Sequence, residues 1–345
     1  MERLPQTLTE KICAWYDRGH RDLPWRRDRE PYHVWLSEIM LQQTRVEAVK
    51  GYYERFLSEL PTIEALAACE PDRLTKLWEG LGYYTRVRNL QKAAKIIVEH
   101  HGGVFPQSYD EVRALPGIGD YTAGAICSIC FDLPTPAVDG NVLRVLSRVM
   151  EDDAPVTEQK TKAAYQKALV PLYKAGPRGT LTQALMELGA MVCVPNGAPQ
   201  CALCPLREIC LAEKNGTWSN YPVKAAKKPR KEAHKTLFYL TCDGCLAVRK
   251  RKSSGLLAGL WELPNVEGTL EAVDAIAYAE SAGCEPAELL KSVERAHVFT
   301  HITWHMRCYY IVCRRKSPEF VWADEARRSA DVALPTAFRM FVNET

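Results

Sequence analysis

From Thr9 to about Leu211, apolar residues recur at three- and four-residue spacing with almost no strand-like alternation. The stretch "PYHVWLSEIMLQQTRVEAVKGYYERFLSEL", residues 31–60, keeps this period, and Pro31 suits a first helical turn. The same spacing predicts helices over Leu74–Leu77, Val87–His100, Tyr109–Leu115, Thr122–Phe131, Asn141–Val149, Thr157–Val170 and Gly179–Cys193, separated by turn residues. At "YPVKAAKKPRKEAHK", Tyr221–Lys235, the chain becomes basic, proline-containing and poor in apolar residues, which is the composition of a linker. Beyond it, "TLFYLTCDGCLAVRKR" reads as two strands around Asp243-Gly244, the strongest short-range hairpin signal. A second alternating pair follows in "HVFTHITWHMRCYYIVC". The expected architecture is an all-α domain over 1–216, a basic linker over 217–234 and an α+β domain over 235–345.

Composition narrows the class. With 345 residues, 47% hydrophobic and 25% charged, the chain can fold around two or three cores, which excludes disordered and collagen-like readings. The net charge of +3 is modest, so a polyanionic partner would have to be met by a local basic face. No uninterrupted apolar run reaches the roughly 18 residues of a membrane span, and the first residues lack an apolar signal core. The expectation is a cytoplasmic monomer that makes no membrane contact. Thirteen cysteines, an odd number without a secretory signal, argue against a disulfide framework. Cys127 and Cys130 lie in an apolar helical run and read as small core residues.

Four cysteines stand apart from the rest. In "CVPNGAPQCALCPLREIC", Cys193, Cys201, Cys204 and Cys210 are separated by turn-forming residues, and four thiolates can close around zinc or hold the corners of an iron-sulfur cluster. Spacing does not choose between the two. The pair in "CDGC", Cys242 and Cys245, has no second pair nearby and is left out of the metal set.

The segment "EVRALPGIGDYTAGAICSI", about residues 109–131 with its flanks, reads helix, tight turn, helix. Gly117 and Gly119 let the backbone approach a ligand, and free N–H groups at the start of the second helix favour an anion. With no aromatic or acidic reader, the turn suits a nucleic-acid phosphate better than a base. Asp139, in "PAVDGNVLRVLSRV", stands just before a helical run, where an N-cap is its ordinary role. It can equally be a carboxylate kept ionised by the helix N-terminus and poised beside developing positive charge. Glu38, in "VWLSEIMLQQT", has Trp35, Leu36 and Met40 close by, apolar company that would raise its pKa and make it a proton donor near neutral pH. One protonated and one ionised carboxyl is the pattern that cleaves glycosidic bonds through an oxocarbenium-like transition state.

Together, "LPGIG", "VDGNV" and the cysteine spacing resemble the helix-hairpin-helix DNA glycosylase superfamily with an iron-sulfur loop. Within it, "DLPWR", "SEIMLQQT", "GLGYYTRVRNL" and "FTH" resemble the MutY family of adenine DNA glycosylases. The resemblance covers nearly the whole chain and implies a helix-hairpin-helix catalytic domain followed by a Nudix-like (MutT-like) domain. It implies a [4Fe-4S] cluster on Cys193, Cys201, Cys204 and Cys210. Seven residues separate Cys193 from Cys201, one more than is usual in that family, and "PNGAP" can absorb the extra residue as a turn. Leu115, Pro116, Gly117, Ile118 and Gly119 would form the hairpin whose free main-chain N–H groups take a DNA phosphate.

Carried onto this chain, the resemblance makes Glu38 the general acid that protonates adenine N7, and Asp139 the stabiliser of the oxocarbenium-like sugar. Tyr121 and Asn141 would support that site, while Trp25, Arg26 and Gln183 would hold the flipped adenine. Gln43, Thr44 and Tyr83 would meet the partner base, and Phe299, Thr300 and His301 would help recognise 8-oxoguanine. The implied substrate is duplex DNA with adenine opposite 8-oxoguanine or guanine. After "GLLAGLWELP" the Arg-Glu-x-x-Glu-Glu run of an active Nudix hydrolase is absent, so the second domain is expected to bind rather than hydrolyse. Two other classes stay open. A bifunctional glycosylase and lyase of the endonuclease III type needs a lysine nucleophile, but this chain has Tyr121 where those relatives keep their amine. A non-catalytic iron-sulfur DNA-binding protein would need neither Glu38 nor Asp139.

Overall fold

A computed structural model describes residues 4–225 and 229–342. The α-helices before the sheet are α1 (Thr7–Arg18), α2 (Pro31–Leu41), α3 (Val46–Glu59), α4 (Ile63–Ala68), α5 (Pro71–Leu77), α6 (Thr85–His101), α7 (Tyr109–Ala114), α8 (Asp120–Cys130), α9 (Gly140–Met150), α10 (Gln159–Ala175), α11 (Arg178–Met191) and α12 (Leu211–Lys214). The chain divides into two compact units, Met1–Ala68 with Asn89–Ala226, and Cys69–Arg88 with Lys227–Thr345. Among the described residues, no helix is long and apolar enough to cross a membrane.

The first unit is helical because its apolar stripes meet in pairs. Leu8 and Ile12 of α1, Leu143 and Leu146 of α9, Tyr165 and Leu169 of α10, and Leu181, Leu185 and Leu188 of α11 form one core. Helix α2 is buried on nearly every side, from Tyr32 and Val34 through Met40, so its one acid lies inside protein. The 31–60 pattern does not make one helix. It breaks at residues 42–45, where Gln43 adopts a left-handed φ of 58°.

In the helix-hairpin-helix, Ser108 caps α7 by accepting from Glu111 N–H. Leu115 and Ile118 turn inward at 4% and 3% exposure, leaving Gly117 and Gly119 at the surface. A Cβ at Gly117 would lie 2.7 Å from that of Asn89, and its φ of 80° also demands glycine.

The second unit has a seven-stranded mixed sheet. Its strands are β1 (Lys231–Cys242), β2 (Cys245–Lys250), β3 (Trp261–Glu262), β4 (Asn265–Glu267), β5 (Pro286–Val298), β6 (Ile302–Cys313) and β7 (Val321–Ala323). The main order is β3-β2-β1-β6-β5, with β4 on β1 and β7 on β2. The central β1–β6 pair is parallel, and the other pairings are antiparallel. Its faces are covered by α13 (Ala272–Ser281) and α15 (Thr336–Val342), with α14 (Glu325–Ala330) between β7 and α15. Alternate β1 residues therefore enter two cores, Leu237 and Tyr239 in one, Phe238 and Leu240 in the other, which explains the unbroken apolar run. Asp243 and Gly244 both take positive φ, 48° and 72°, as a two-residue hairpin turn requires.

Two boundaries differ from the sequence expectation. Residues 69–88 pack with the second unit: Lys76 Nζ donates to the Arg328 and Val332 carbonyls, and Glu79 accepts from Leu334 N–H at 2.8 Å. The stretch 217–234 is not uniformly a linker. Val156 N donates to Val223 O and Ala225 N to Thr157 Oγ1, while β1 already begins at Lys231. Residues 226–228 of that expected linker lie outside the described residues.

Candidate active site

A cleft of about 860 Å³ in the first unit is lined by Glu38, Tyr121, Asp139, Asn141, Trp25, Arg26, Gln43, Thr44, Gln183 and Gly119, residues from six stretches of chain. Glu38, on α2, is 6% exposed, and its Oε2 accepts a hydrogen bond of 2.5 Å from Tyr121 Oη near the start of α8. Burial pushes the Glu38 carboxyl up to about 7; the nearby Asp139 charge adds to the rise, while the Tyr121 hydrogen bond and Arg26 oppose it. The Tyr121 phenol is pushed well above its ordinary value by burial and by both carboxylates, so it stays a donor.

Asp139 is the N-cap of α9. Its Oδ1 accepts from Val142 N–H at 2.8 Å and its Oδ2 from Asn141 Nδ2 at 2.7 Å. Contrary to the expectation from the helix N-terminus alone, burial dominates and raises its pKa, with those donors and Arg144 pulling the other way. A carboxyl that only accepts hydrogen bonds is nonetheless arranged as a carboxylate. Asn141 is fixed in turn: its Oδ1 accepts from Arg144 Nη2 at 2.7 Å, and Arg144 also holds the Gly189 and Cys193 carbonyls. Two helices reach the 136–141 segment at backbone contact. A Cβ on Gly124 of α8 would lie 2.6 Å from Pro136 O, and one on Gly189 of α11 would lie 2.5 Å from the Asn141 Cβ.

Behind Arg21 and Arg26, which line the cleft, lies a buried residue that motif reading missed. Glu187, 2% exposed, takes a bidentate pair of hydrogen bonds from Arg21, at 2.8 and 2.7 Å, and one from Arg26 at 2.9 Å. Burial alone would raise this carboxyl, but the two arginines outweigh it and hold it down at about 2. One helical turn earlier on α11, Gln183 Oε1 accepts from Tyr16 Oη at 2.6 Å, and the Arg26 guanidinium lies 5.6 Å from the Tyr16 ring. Trp25 is buried edge-on against Tyr53. The four-residue spacing of Gln183 and Glu187 was the available signal, since such residues share a helix face.

Tyr83, Phe299, Thr300 and His301 belong to the second unit. Phe299, Thr300 and His301 form the turn between β5 and β6, and Phe299 packs on His297 and Trp304. Tyr83, 48% exposed, brings its Oη within 3.1 Å of Thr300 Oγ1. Like Gln43, Tyr83 is a non-glycine residue at positive φ, here 47°.

Cys193, Cys201, Cys204 and Cys210 line one cavity with Val145, Val149, Leu188 and Leu206. Arg148 Nη1 donates to Cys193 Sγ at 3.2 Å. Gly197, at φ 77°, turns the chain between Cys193 and Cys201. Among the described residues, no three His, Cys, Asp or Glu side chains gather as ligands of a single ion. Four soft sulfur donors around an apolar cavity, with a guanidinium on one of them, fit a negatively charged polynuclear cluster in which each iron takes one thiolate.

Comparison with known proteins agrees with this arrangement. Residues 36–171 match the HhH-GPD superfamily of base excision DNA repair proteins, and residues 236–344 match the NUDIX domain. The solved structure of a thermostable thymine-DNA glycosylase superposes with a TM-score of 0.56 at 24% identity, covering 61% of this chain and 96% of that one. An endonuclease III in complex with DNA gives 0.52 at 23% identity, over 62% and 98%; both likenesses concern the fold. Adenine DNA glycosylases match over much greater length. The mouse protein is 32% identical over 96% of this chain and 77% of its own. That of Schizosaccharomyces pombe is 33% identical over 92% and 83%, and that of Buchnera aphidicola from Schizaphis graminum 33% over 95% and 95%. Likeness of this extent shows that the chain belongs to the adenine DNA glycosylase family, enzymes of base excision repair.

Proposed function

We propose that this chain removes adenine paired with 8-oxoguanine, or with guanine, in duplex DNA, hydrolysing the N-glycosidic bond without cutting the strand. The observation that carries the reading is the buried Glu38 carboxyl, raised to about 7, in one cleft with the acceptor-only carboxylate of Asp139. Glu38 delivers a proton to adenine N7 as the base departs, so the leaving group is neutral. Asp139 stabilises the positive sugar, and a water then completes hydrolysis. Tyr121 holds the Glu38 carboxyl in place, and Asn141 holds Asp139. Trp25 supplies a stacking wall for the flipped base. Arg26 and Gln183, with Glu187 behind Arg26, supply its polar edge.

For the partner base, we assign Gln43 and Thr44 in the first unit, and Tyr83, Phe299, Thr300 and His301 in the second. The exposed Gly117 and Gly119 amides, with the Leu115, Pro116 and Ile118 backbone, take a DNA phosphate. Cys193, Cys201, Cys204 and Cys210 hold a [4Fe-4S] cluster, which ties the 193–210 loop to α9 and α11. The expected working form is a cytoplasmic monomer on nucleoid DNA.

Lys162 and Lys224 also line the cleft, so the lyase alternative has an amine within the site. One experiment separates the readings. Purified protein is incubated with a duplex containing adenine opposite 8-oxoguanine, and cleavage is scored with and without hot alkali and after borohydride treatment. Strand breaks that need alkali are expected. Absence of alkali-labile sites overturns the proposal, and nicking without alkali together with a borohydride-trapped adduct establishes the lyase.

A further inference from the structure

The "CDGC" turn takes no part in the proposed repair chemistry. Cys242, the last residue of β1, and Cys245, the first of β2, are direct partners in the antiparallel register. Side chains of such a pair share one face of the sheet, and their Cα atoms lie about 4.5–5.5 Å apart, inside the roughly 4.4–6.8 Å window of a disulfide. The two thiols differ in setting. Cys242 is 2% exposed, whereas Cys245 is partly open and accepts a hydrogen bond from the exposed Lys316 ammonium. Burial and the neighbouring Asp243 carboxylate keep the Cys242 thiol above its ordinary value, with Lys316 opposing. A partly exposed thiol beside a lysine, with a second thiol in reach, is the setting of a reactive cysteine and its resolving partner. Two more cysteines lie in the same core, Cys284 and Cys313, but at 0% and 4% exposure they are shielded from solvent.

We propose that Cys242 and Cys245 form a peroxide-reactive dithiol, in which Lys316 supports the Cys245 thiolate and Cys242 resolves the oxidised product into a disulfide across the hairpin turn. The Cys245 thiolate attacks one oxygen of hydrogen peroxide, the O–O bond breaks, and the departing hydroxide takes up the thiol's proton to leave as water. Cys242 sulfur then attacks the sulfenic sulfur of Cys245. The S–O bond breaks, and the hydroxide leaves as a second water with the Cys242 proton. Two thiols lose two electrons to one peroxide.

Cleavage after Lys235 and Arg249 isolates the pair in one peptide, residues 236–249, with no other cysteine. The full-length holoprotein is titrated with hydrogen peroxide, alkylated, digested and weighed. The expected result is that this peptide loses two hydrogens before Cys284 and Cys313 lose alkylation, and that dithiothreitol reverses the change. Lys316→Met, at an exposed position, removes the donor to the Cys245 sulfur and is expected to slow Cys245 oxidation measurably. Cys242→Ser should leave a dimedone-trappable sulfenic acid at position 245. Full alkylation of the peptide at peroxide levels that oxidise Cys284 or Cys313, or an unchanged Cys245 rate in Lys316→Met, overturns the proposal. Both of these readings survive if Cys242→Ser fails to fold.

Discussion

At the scale of single residues, Glu38 links activity to stability in opposite senses. Its carboxyl titrates at about 7 in the folded chain against 4.5 ordinarily, so between those values the folded state binds more protons than the unfolded one. Stability therefore falls as pH rises through that window, and above it the buried charge costs about 3 kcal/mol. Glu38→Gln is expected to be more stable than wild type above pH 7, by up to that amount in a denaturant titration, and no more stable below pH 4.5. The same variant should lose turnover by at least about a hundredfold. For the unaltered enzyme, the rate should fall as pH rises through about 7. Asp139→Asn tests the other acid: asparagine still caps α9, so the melting temperature should hold while adenine release collapses. The burial of Glu38 and the cap position of Asp139 were legible in the sequence, because one lay in apolar company and the other just before a helix. The upward direction of Asp139 was not, because its burial comes from chain far away in sequence.

At the scale of elements, the site depends on how closely α11 approaches the start of α9. Gly189→Ala would place a methyl group against the Asn141 Cβ and backbone, which cannot rotate away. The expected cost is about 1–3 kcal/mol, together with a reduced rate of adenine release, since Asn141 positions Asp139. A parallel Gly51→Ala change, where nothing lies within 4 Å, should leave the rate unaltered. Helix periodicity located most of these elements to within a few residues, and Asp243-Gly244 located its hairpin. It did not find the break at Gln43, because the apolar spacing runs across the turn without interruption. Nor did it give the parallel β1–β6 pairing, whose partners lie some seventy residues apart in sequence. Glu187 escapes pattern reading for a related reason: a lone acid on a helix looks solvated until Arg21 and Arg26 are brought to it from the segment between α1 and α2.

At the scale of the molecule, the second unit is discontinuous, and no local pattern could reveal this. Residues 69–88 read as ordinary helix and turn, yet Asp72 pairs with Lys250 at 2.6 Å, and Arg88 donates to the Ala258 carbonyl. A chain cut after Ala225 is therefore expected to behave as more than a loss of one domain. Residues 69–88 would be left without their partners, and the remainder should melt lower, digest faster between residues 69 and 88, and discriminate poorly between 8-oxoguanine and guanine opposite adenine. Limited proteolysis and paired single-turnover rates would check this; an equally resistant 69–88 segment would refute it.

The same discontinuity has a consequence in time. During synthesis, residues 69–88 leave the ribosome well before the strands they dock against. At about 5–20 residues per second, the wait lasts on the order of ten seconds or more. Through that interval the nascent first unit can gather its own core while carrying an undocked excursion that includes Tyr83. Tyr83, one of the residues assigned to the damaged base, is thus among the last parts of the enzyme to take its place, and a chain released before Thr300 is made lacks its hydrogen-bond partner.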